Sequence, residues 1–184
     1  MPRNTVIFVM LALLTFAMLS LAACGQAEPD HADTPAGPLI IEPEQLFSKE
    51  EAEELLGEAV KDGEKSEQPA VGQKICFYDM PYRDSAYFIQ ISVTQTTFMS
   101  NANQKPEDIY MTLKKELTET ADQKKIDGVG DEYFFGTPGL HILKDGYYLC
   151  IAAGNMNDER VLDRLERAGA LAVKNLENIL SEVE

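Results

Sequence analysis

The sequence lacks the local motifs that identify most catalytic and nucleotide-binding domains. It has no Gly-x-Ser-x-Gly turn, no His-Glu-x-x-His pair, no Walker-type glycine loop and no Gly-x-Gly-x-x-Gly before a helix. It contains two histidines, His31 and His141, and three cysteines, Cys24, Cys76 and Cys150. The residue types that most often carry catalysis or hold a metal are therefore scarce.

Positive charge is also in short supply. The chain carries 31 Asp and Glu against 16 Lys and Arg, for a formal net charge of −15. An acidic surface repels nucleic-acid phosphates and has no basic stripe to displace their counterions, so we expect no nucleic-acid partner. The same charge argues against adhesion of the folded part to an anionic lipid surface. Attachment to a membrane would have to come from a lipid.

Long apolar runs are limited to one, at residues 6–21. Its length is marginal for a membrane-spanning helix and typical of the apolar region of a cleaved secretory signal. Arg3 supplies the positive charge that precedes such a region. No later run reaches spanning length, so we expect nothing beyond the start of the chain to enter a bilayer.

The run ends in Leu21-Ala22-Ala23-Cys24, which resembles the lipobox of bacterial lipoproteins. The resemblance implies that Cys24 is diacylated, for instance with palmitate, and that the chain is cut just before it. It also implies anchoring to the cell membrane on the extracytoplasmic side. The mature chain would keep all 31 acidic residues and 15 basic ones, for a net charge of −16. The alternative is an ordinary signal peptide with a chance cysteine.

Composition divides the rest of the chain into a tether and a domain. Residues 24–38 are polar and rich in proline, which is typical of a flexible tether, and a coil of that length spans roughly 20 Å on average. Residues 39–184 show no second linker and no internal repeat, and their number is common for one domain. We predict a signal peptide at 1–23, the lipidated cysteine and tether at 24–38, and a single domain at 39–184.

The first helix of the domain is predicted from its end signals. Ser48, followed three residues later by Glu51, is typical of a capping box, and Gly57 is placed to end the helix. Residues 61–69 are charged and short of apolar side chains. We therefore expect a loop there.

Two strands are predicted at 74–79 and 86–95, and their short connection favours an antiparallel pair. The second strand alternates, which indicates a single buried face. The residues of that face are Tyr87, Ile89, Ile91 and Val93. A polar loop follows at 97–105. Pro106, with two acidic residues after it and apolar residues at helical spacing, predicts a helix that ends near Thr118.

The strongest hairpin signal comes late in the chain. Residues 140–144 and 147–153 flank Asp145-Gly146, a two-residue loop typical of a type I′ turn. The resulting register places His141 directly across from Cys150 on one face of the sheet. The pairs on the other face are Lys144 with Tyr147, Ile142 with Leu149 and Leu140 with Ile151.

The longest predicted element begins near Asn157 or Asp158 and ends near Ser181. Its apolar residues form a stripe wide enough to cover a sheet face. The element order is then helix, two strands, helix, two or three strands, helix. Hairpin strands with helices packed against them predict the α+β class, with an antiparallel sheet and a long C-terminal helix.

This order and three short motifs resemble the small extracytoplasmic lipoproteins and sensor domains with a PsbP-like α/β sandwich. The motifs are Leu55-Leu56-Gly57, Cys76-Phe77-Tyr78 and Gly128-Val129-Gly130-Asp131-Glu132. The resemblance spans most of residues 46–180. It implies a two- or three-layer sandwich and transfers no active-site residue, because the motifs are structural.

Three residues are candidates for a catalytic or metal-binding site, namely Cys76, His141 and Cys150. A thiol beside an imidazole can act as a nucleophile pair, and two thiolates with an imidazole can ligate zinc, although a fourth ligand is missing. With Cys24 lipidated, an even pair remains in an oxidising compartment, which favours a disulfide between Cys76 and Cys150. Two buried, unpaired thiols remain the other main alternative. We assign no metal site and no cofactor.

Two further groups have a structural and a functional interpretation. Oxygen-rich residues could bind calcium, but they lack the spacing of an EF-hand loop and fit turns and a helix N-cap better. They are Asp127, Asp131, Glu132, Asn155, Asn157, Asp158 and Glu159. Aromatic residues around the break at Thr137-Pro138-Gly139 could line a ligand groove, but core packing is the commoner role. They are Tyr133, Phe134, Phe135, Tyr147 and Tyr148.

The leading functional hypothesis is a membrane-anchored extracytoplasmic binding or accessory module without catalysis. It depends on the anchor at Cys24, the tether and the missing catalytic motifs. Its partners would be the membrane, through the lipid, and an envelope protein or small-molecule ligand. The alternatives are an envelope enzyme that uses Cys150 with His141, and a structural lipoprotein that binds nothing specific.

Overall fold

The computed structural model of the protein describes residues 38–82, 88–101, 103–117 and 129–183. The predicted signal peptide, Cys24 and nearly all of the tether lie outside these residues. The chain from Pro38 to Glu184 forms one compact unit. Among the described residues, we find no helix that is both long and apolar enough to cross a membrane.

A six-stranded sheet carries four helices in the described part of the chain. The strands are β1 (Glu64–Gln68), β2 (Gln73–Asp79), β3 (Phe88–Thr94), β4 (Glu132–Gly136), β5 (Gly139–Lys144) and β6 (Tyr147–Ala152). The helices are α1 (Pro43–Leu46), α2 (Lys49–Leu56), α3 (Pro106–Leu117) and α4 (Glu159–Ser181). The strand order is β1-β2-β3-β6-β5-β4, and every neighbouring pair is antiparallel. The predicted α+β class is confirmed.

The late hairpin has the predicted register. Lys144 pairs with Tyr147, and His141 pairs with Cys150. Asp145 and Gly146 have φ angles of 48° and 78°, the positive values that a type I′ turn requires at both positions. A second two-residue connection, Thr137-Pro138, joins β4 to β5 where the chain was predicted to break.

The predicted ends of α2 are also confirmed. The Glu51 amide donates to Ser48 Oγ over 3.2 Å, and the Ser48 amide donates to Glu51 Oε2 over 2.7 Å, which completes a capping box. Gly57 ends the helix in the left-handed conformation, with φ of 74°. Local end signals were therefore sufficient to place this helix.

Two local predictions need correction. Residues 61–69, predicted as a loop, contain β1, which pairs with β2 at the edge of the sheet. All five residues of β1 are exposed, so the strand has no apolar alternation to reveal it, and its charges are typical of a protected edge. The short helix α1 was not predicted at all. Its first turn is closed by the Glu42 amide, which donates to Gln45 Oε1 over 2.8 Å.

Both faces of the sheet are covered, which corrects the expectation of one buried face on β3. Ile89, Ile91 and Val93 belong to the larger core, on the face where α1 packs against β2 and β3 and α4 packs against β5 and β6. Ser92 and Thr94 are also buried on the opposite face, the side on which α3 packs against β4, β5 and β6. Polar side chains therefore do not mark a solvated face here. Tyr87 lies outside the described residues.

Candidate functional site

The three residues weighed for chemistry do not come together. Cys76 on β2 pairs with Ile91, which pairs in turn with Ile151, and directly paired residues share a face of the sheet. Cys150 is next to Ile151 on β6, so its side chain lies on the opposite face. Both cysteines are free and buried. Of the two main alternatives, the structure has the two buried, unpaired thiols and not the Cys76 to Cys150 disulfide, and the candidate zinc trio is not assembled, because the sheet separates the two thiols.

His141 and Cys150 lie across from each other as predicted, but the histidine is part of the core. It is 1% exposed, and its ring stacks on Phe134 with centroids 4.3 Å apart. Nδ1 lies 2.7 Å from Tyr148 Oη, and Nε2 lies 3.2 Å from the Gly136 carbonyl oxygen. A carbonyl can only accept, so Nε2 carries the proton and Nδ1 accepts from Tyr148. Burial lowers the pKa of His141 and keeps the ring neutral.

Cys150 is held in the thiol form by the same surroundings. Its side chain packs with Tyr110, Phe134 and Tyr148 beneath α3, and burial raises its pKa to about 12. A nucleophilic pair needs a thiolate or a base that can generate one at neutral pH. The neutral imidazole already accepts from Tyr148 and is therefore not available as that base.

Both thiols should be unreactive in the folded protein. Cys76 is also fully buried, and burial raises its pKa. We expect less than about one hundredth of the rate of an exposed cysteine when the native domain is treated with Ellman's reagent, because attack needs an accessible thiolate. In denaturant, both thiols should react with the reagent at once. A thiol that reacts rapidly in the native protein would contradict the burial described here.

The oxygen-rich residues have structural roles where they are described. Asp131 accepts from the Asp145 amide over 2.9 Å and lies 3.5 Å from Lys144 Nζ. Asp158 caps α4 and accepts from the Arg160 amide over 3.0 Å. The described ranges contain no group of three or more His, Cys, Asp or Glu that could hold a metal ion. Asp127 lies outside these ranges.

The aromatic residues divide between the two faces of the sheet. Phe134 and Tyr148 are buried beneath α3, whereas Tyr133, Phe135 and Tyr147 pack at the margin of the larger core. They therefore belong to the core rather than to a ligand groove.

A recess in the described surface lies between α2 and α4, and it was not predicted. Asn175 of α4 links that helix to both α1 and α2, because its Nδ2 donates to the Leu46 carbonyl of α1 over 3.1 Å and to Glu51 Oε1 of α2 over 3.0 Å. Beyond this contact the helices leave a groove with two neighbouring cavities of about 380 Å³ each. The residues that line it are Glu51, Glu54, Leu55, Glu159, Arg160, Asp163, Arg164, Arg167, Ala170 and Leu171.

Arginines are concentrated along the α4 side of this α2/α4 groove. Arg160, Arg164 and Arg167 are spaced by four and three residues and therefore share one face of the helix. Arg160 is paired with Asp158 over 2.8 Å, whereas neither Arg164 nor Arg167 forms an ion pair with a described residue. The other two arginines of the chain lie outside the described residues. The sequence signal that could have indicated this groove is the spacing of Arg160, Arg164 and Arg167 in a chain short of basic residues.

No family model, no curated protein and no solved structure matches this chain. The PsbP-like resemblance therefore stays a prediction, and function has to be argued from the groove, the buried residues and the start of the sequence.

The α2/α4 groove has the chemistry of a docking surface rather than of a catalytic centre. Leu55 and Leu171 form a partly exposed apolar floor, with Glu54 on one rim and Arg167 on the other. Histidine and cysteine are absent from its lining, so the groove offers neither an acid-base pair for neutral pH nor a thiol nucleophile. What it offers is shape, apolar contact and charged side chains of both signs.

Proposed function

We propose that the protein is a lipid-anchored extracytoplasmic module that acts by docking and not by catalysis. The observation that carries the proposal is Leu21-Ala22-Ala23-Cys24 directly after the apolar run at 6–21. A diacylated cysteine supplies two acyl chains, which is enough for stable attachment where one chain is marginal. The acidic mature chain needs such an anchor, because its charge gives it no affinity for an anionic membrane.

The docking part of the proposal is supported by the contrast between two places in the domain. The pair of His141 and Cys150, on which an enzyme would depend, is buried and neutral. The α2/α4 groove is accessible, and it combines an apolar floor with charged rims, the composition by which interfaces gain both contact area and specificity. We assign docking to this groove.

Incorporation of labelled palmitate tests the anchor. We expect label in the wild-type chain expressed in a bacterial host and none in Cys24→Ala, because the thiol is the only acceptor that the proposal allows. Gly25→Ala is the matched control, since it changes the neighbouring residue and leaves Cys24 in place, and it should be labelled like the wild type. Label in Cys24→Ala, or its absence from the wild type, would refute the anchor.

A further inference from the structure

We propose that the α2/α4 groove is occupied by the same groove of a second copy of this chain. The two copies would be related by a two-fold axis that runs parallel to the groove. The inference rests on the docking role proposed above, and it names the partner. It does not depend on the lipid anchor.

The first support is the pair of charges that face each other across the groove without meeting. Glu54 lies on the α2 rim and Arg167 on the α4 rim of the same cavity, and both side chains are exposed. Neither forms an ion pair with a described residue, although the chain has almost twice as many acidic as basic residues. Two opposite charges that lie unpaired on the rims of one recess are available to pair with the opposite charges of another molecule.

The second support is the arrangement of the rims. A two-fold axis parallel to the groove exchanges the two rims, so the α4 rim of one copy meets the α2 rim of the other. Arg167 then faces the Glu54 of the second copy, and by symmetry Glu54 faces its Arg167. Each dimer gains two ion pairs from one kind of contact, as an isologous interface requires.

The floor of the groove adds the apolar contact. Leu55 and Leu171 are partly exposed, and Ala170 is an exposed residue with a small side chain that lets another backbone approach. The net charge of the chain repels a second copy at a distance, but salt screens this repulsion beyond about 8 Å at physiological ionic strength. Complementary charges at contact distance are screened less, so we expect them to determine whether the two copies associate.

Charge reversal tests the inference with the full chain. Two differently tagged copies are co-expressed, extracted in a non-ionic detergent and captured through one tag. We expect Arg167→Glu alone, present in both copies, to lower recovery of the second tag by about tenfold or more, because each rim then meets a like charge. Glu54→Arg alone should have the same effect.

Two combinations should restore recovery. Arg167→Glu in one copy with Glu54→Arg in the other recreates two opposite-charge contacts, and so does Glu54→Arg with Arg167→Glu in the same chain. The double variant keeps the net charge of the wild type. It therefore separates facing charges from a general effect of charge, and its recovery also shows that the substitutions allow folding.

Matched controls come from α3, on the other side of the sheet. Lys115→Glu and Glu116→Arg are exposed changes of the same size, and we expect wild-type recovery from both. The inference is overturned if the wild-type copies do not recover each other, if single reversals have no effect, or if neither combination restores recovery. Palmitate labelling of the same cultures tells the two proposals apart, since loss of recovery with intact label rejects the partner and leaves the anchor.

Discussion

Gly139→Ala should prevent the domain from reaching a stable fold. A Cβ at this position would lie 1.9 Å from the backbone carbonyl oxygen of Ile151, because β5 begins here directly against β6. The obstructing atom belongs to a central strand and cannot rotate away as a side chain would. We expect a loss of more than about 4 kcal/mol in the free energy of unfolding, measured by urea denaturation, or recovery only as aggregate.

Gly57→Ala is the matched control for this substitution. Gly57 has a φ of 74°, which alanine adopts at a cost, but a Cβ there meets nothing within 4 Å. The expected loss is about 1 kcal/mol, from backbone conformation alone. If the two variants lost equal stability, the close approach of β5 to β6 at Gly139 would be wrong.

Acidification below pH 6.5 should destabilise the domain through His141. The pKa of His141 is lowered from 6.5 by burial, so the unfolded chain takes up a proton at a pH where the folded protein does not. The stability present above pH 6.5 is therefore lost as the pH falls towards the lower pKa of the folded state. The slope reaches about 1.4 kcal/mol per pH unit in that window.

The histidine contribution can be isolated by difference. We compare urea unfolding of the wild type and His141→Gln from pH 7.5 to pH 5.0, because glutamine offers hydrogen-bonding groups but does not titrate. The variant should be less stable at pH 7.5 and should lack the additional slope below pH 6.5. His31 and the carboxylates are present in both proteins, so their contributions to the pH dependence of stability cancel in the difference. Identical slopes would show that His141 is not buried as a neutral ring.

The parts of the fold that depend on neighbouring residues were predictable from the sequence. The type I′ turn at Asp145-Gly146 sets the register of the hairpin, and with it the contact between His141 and Cys150. The capping box at Ser48 and the glycine at position 57 set the ends of α2. In each case the deciding groups lie within a few residues of one another.

The features of the fold that depend on contacts between distant parts of the chain were not predictable from the sequence. The face on which Cys76 lies relative to Cys150 follows from the order of β2, β3 and β6, and no local pattern determines that order. The edge strand β1 has no apolar residue to reveal it. The α2/α4 groove lies between two helices that are distant in sequence and are linked by the hydrogen bond from Asn175 to Glu51.

The central claim, a lipid-anchored mature chain, is tested most directly by the mass of its N-terminal peptide. The protein is extracted from bacterial membranes, digested with protease and analysed by mass spectrometry. The account predicts a first residue of Cys24 with a diacylglyceryl group on its sulfur and residues 1–23 removed. An unmodified Cys24, or a chain that starts at any other residue, would contradict it.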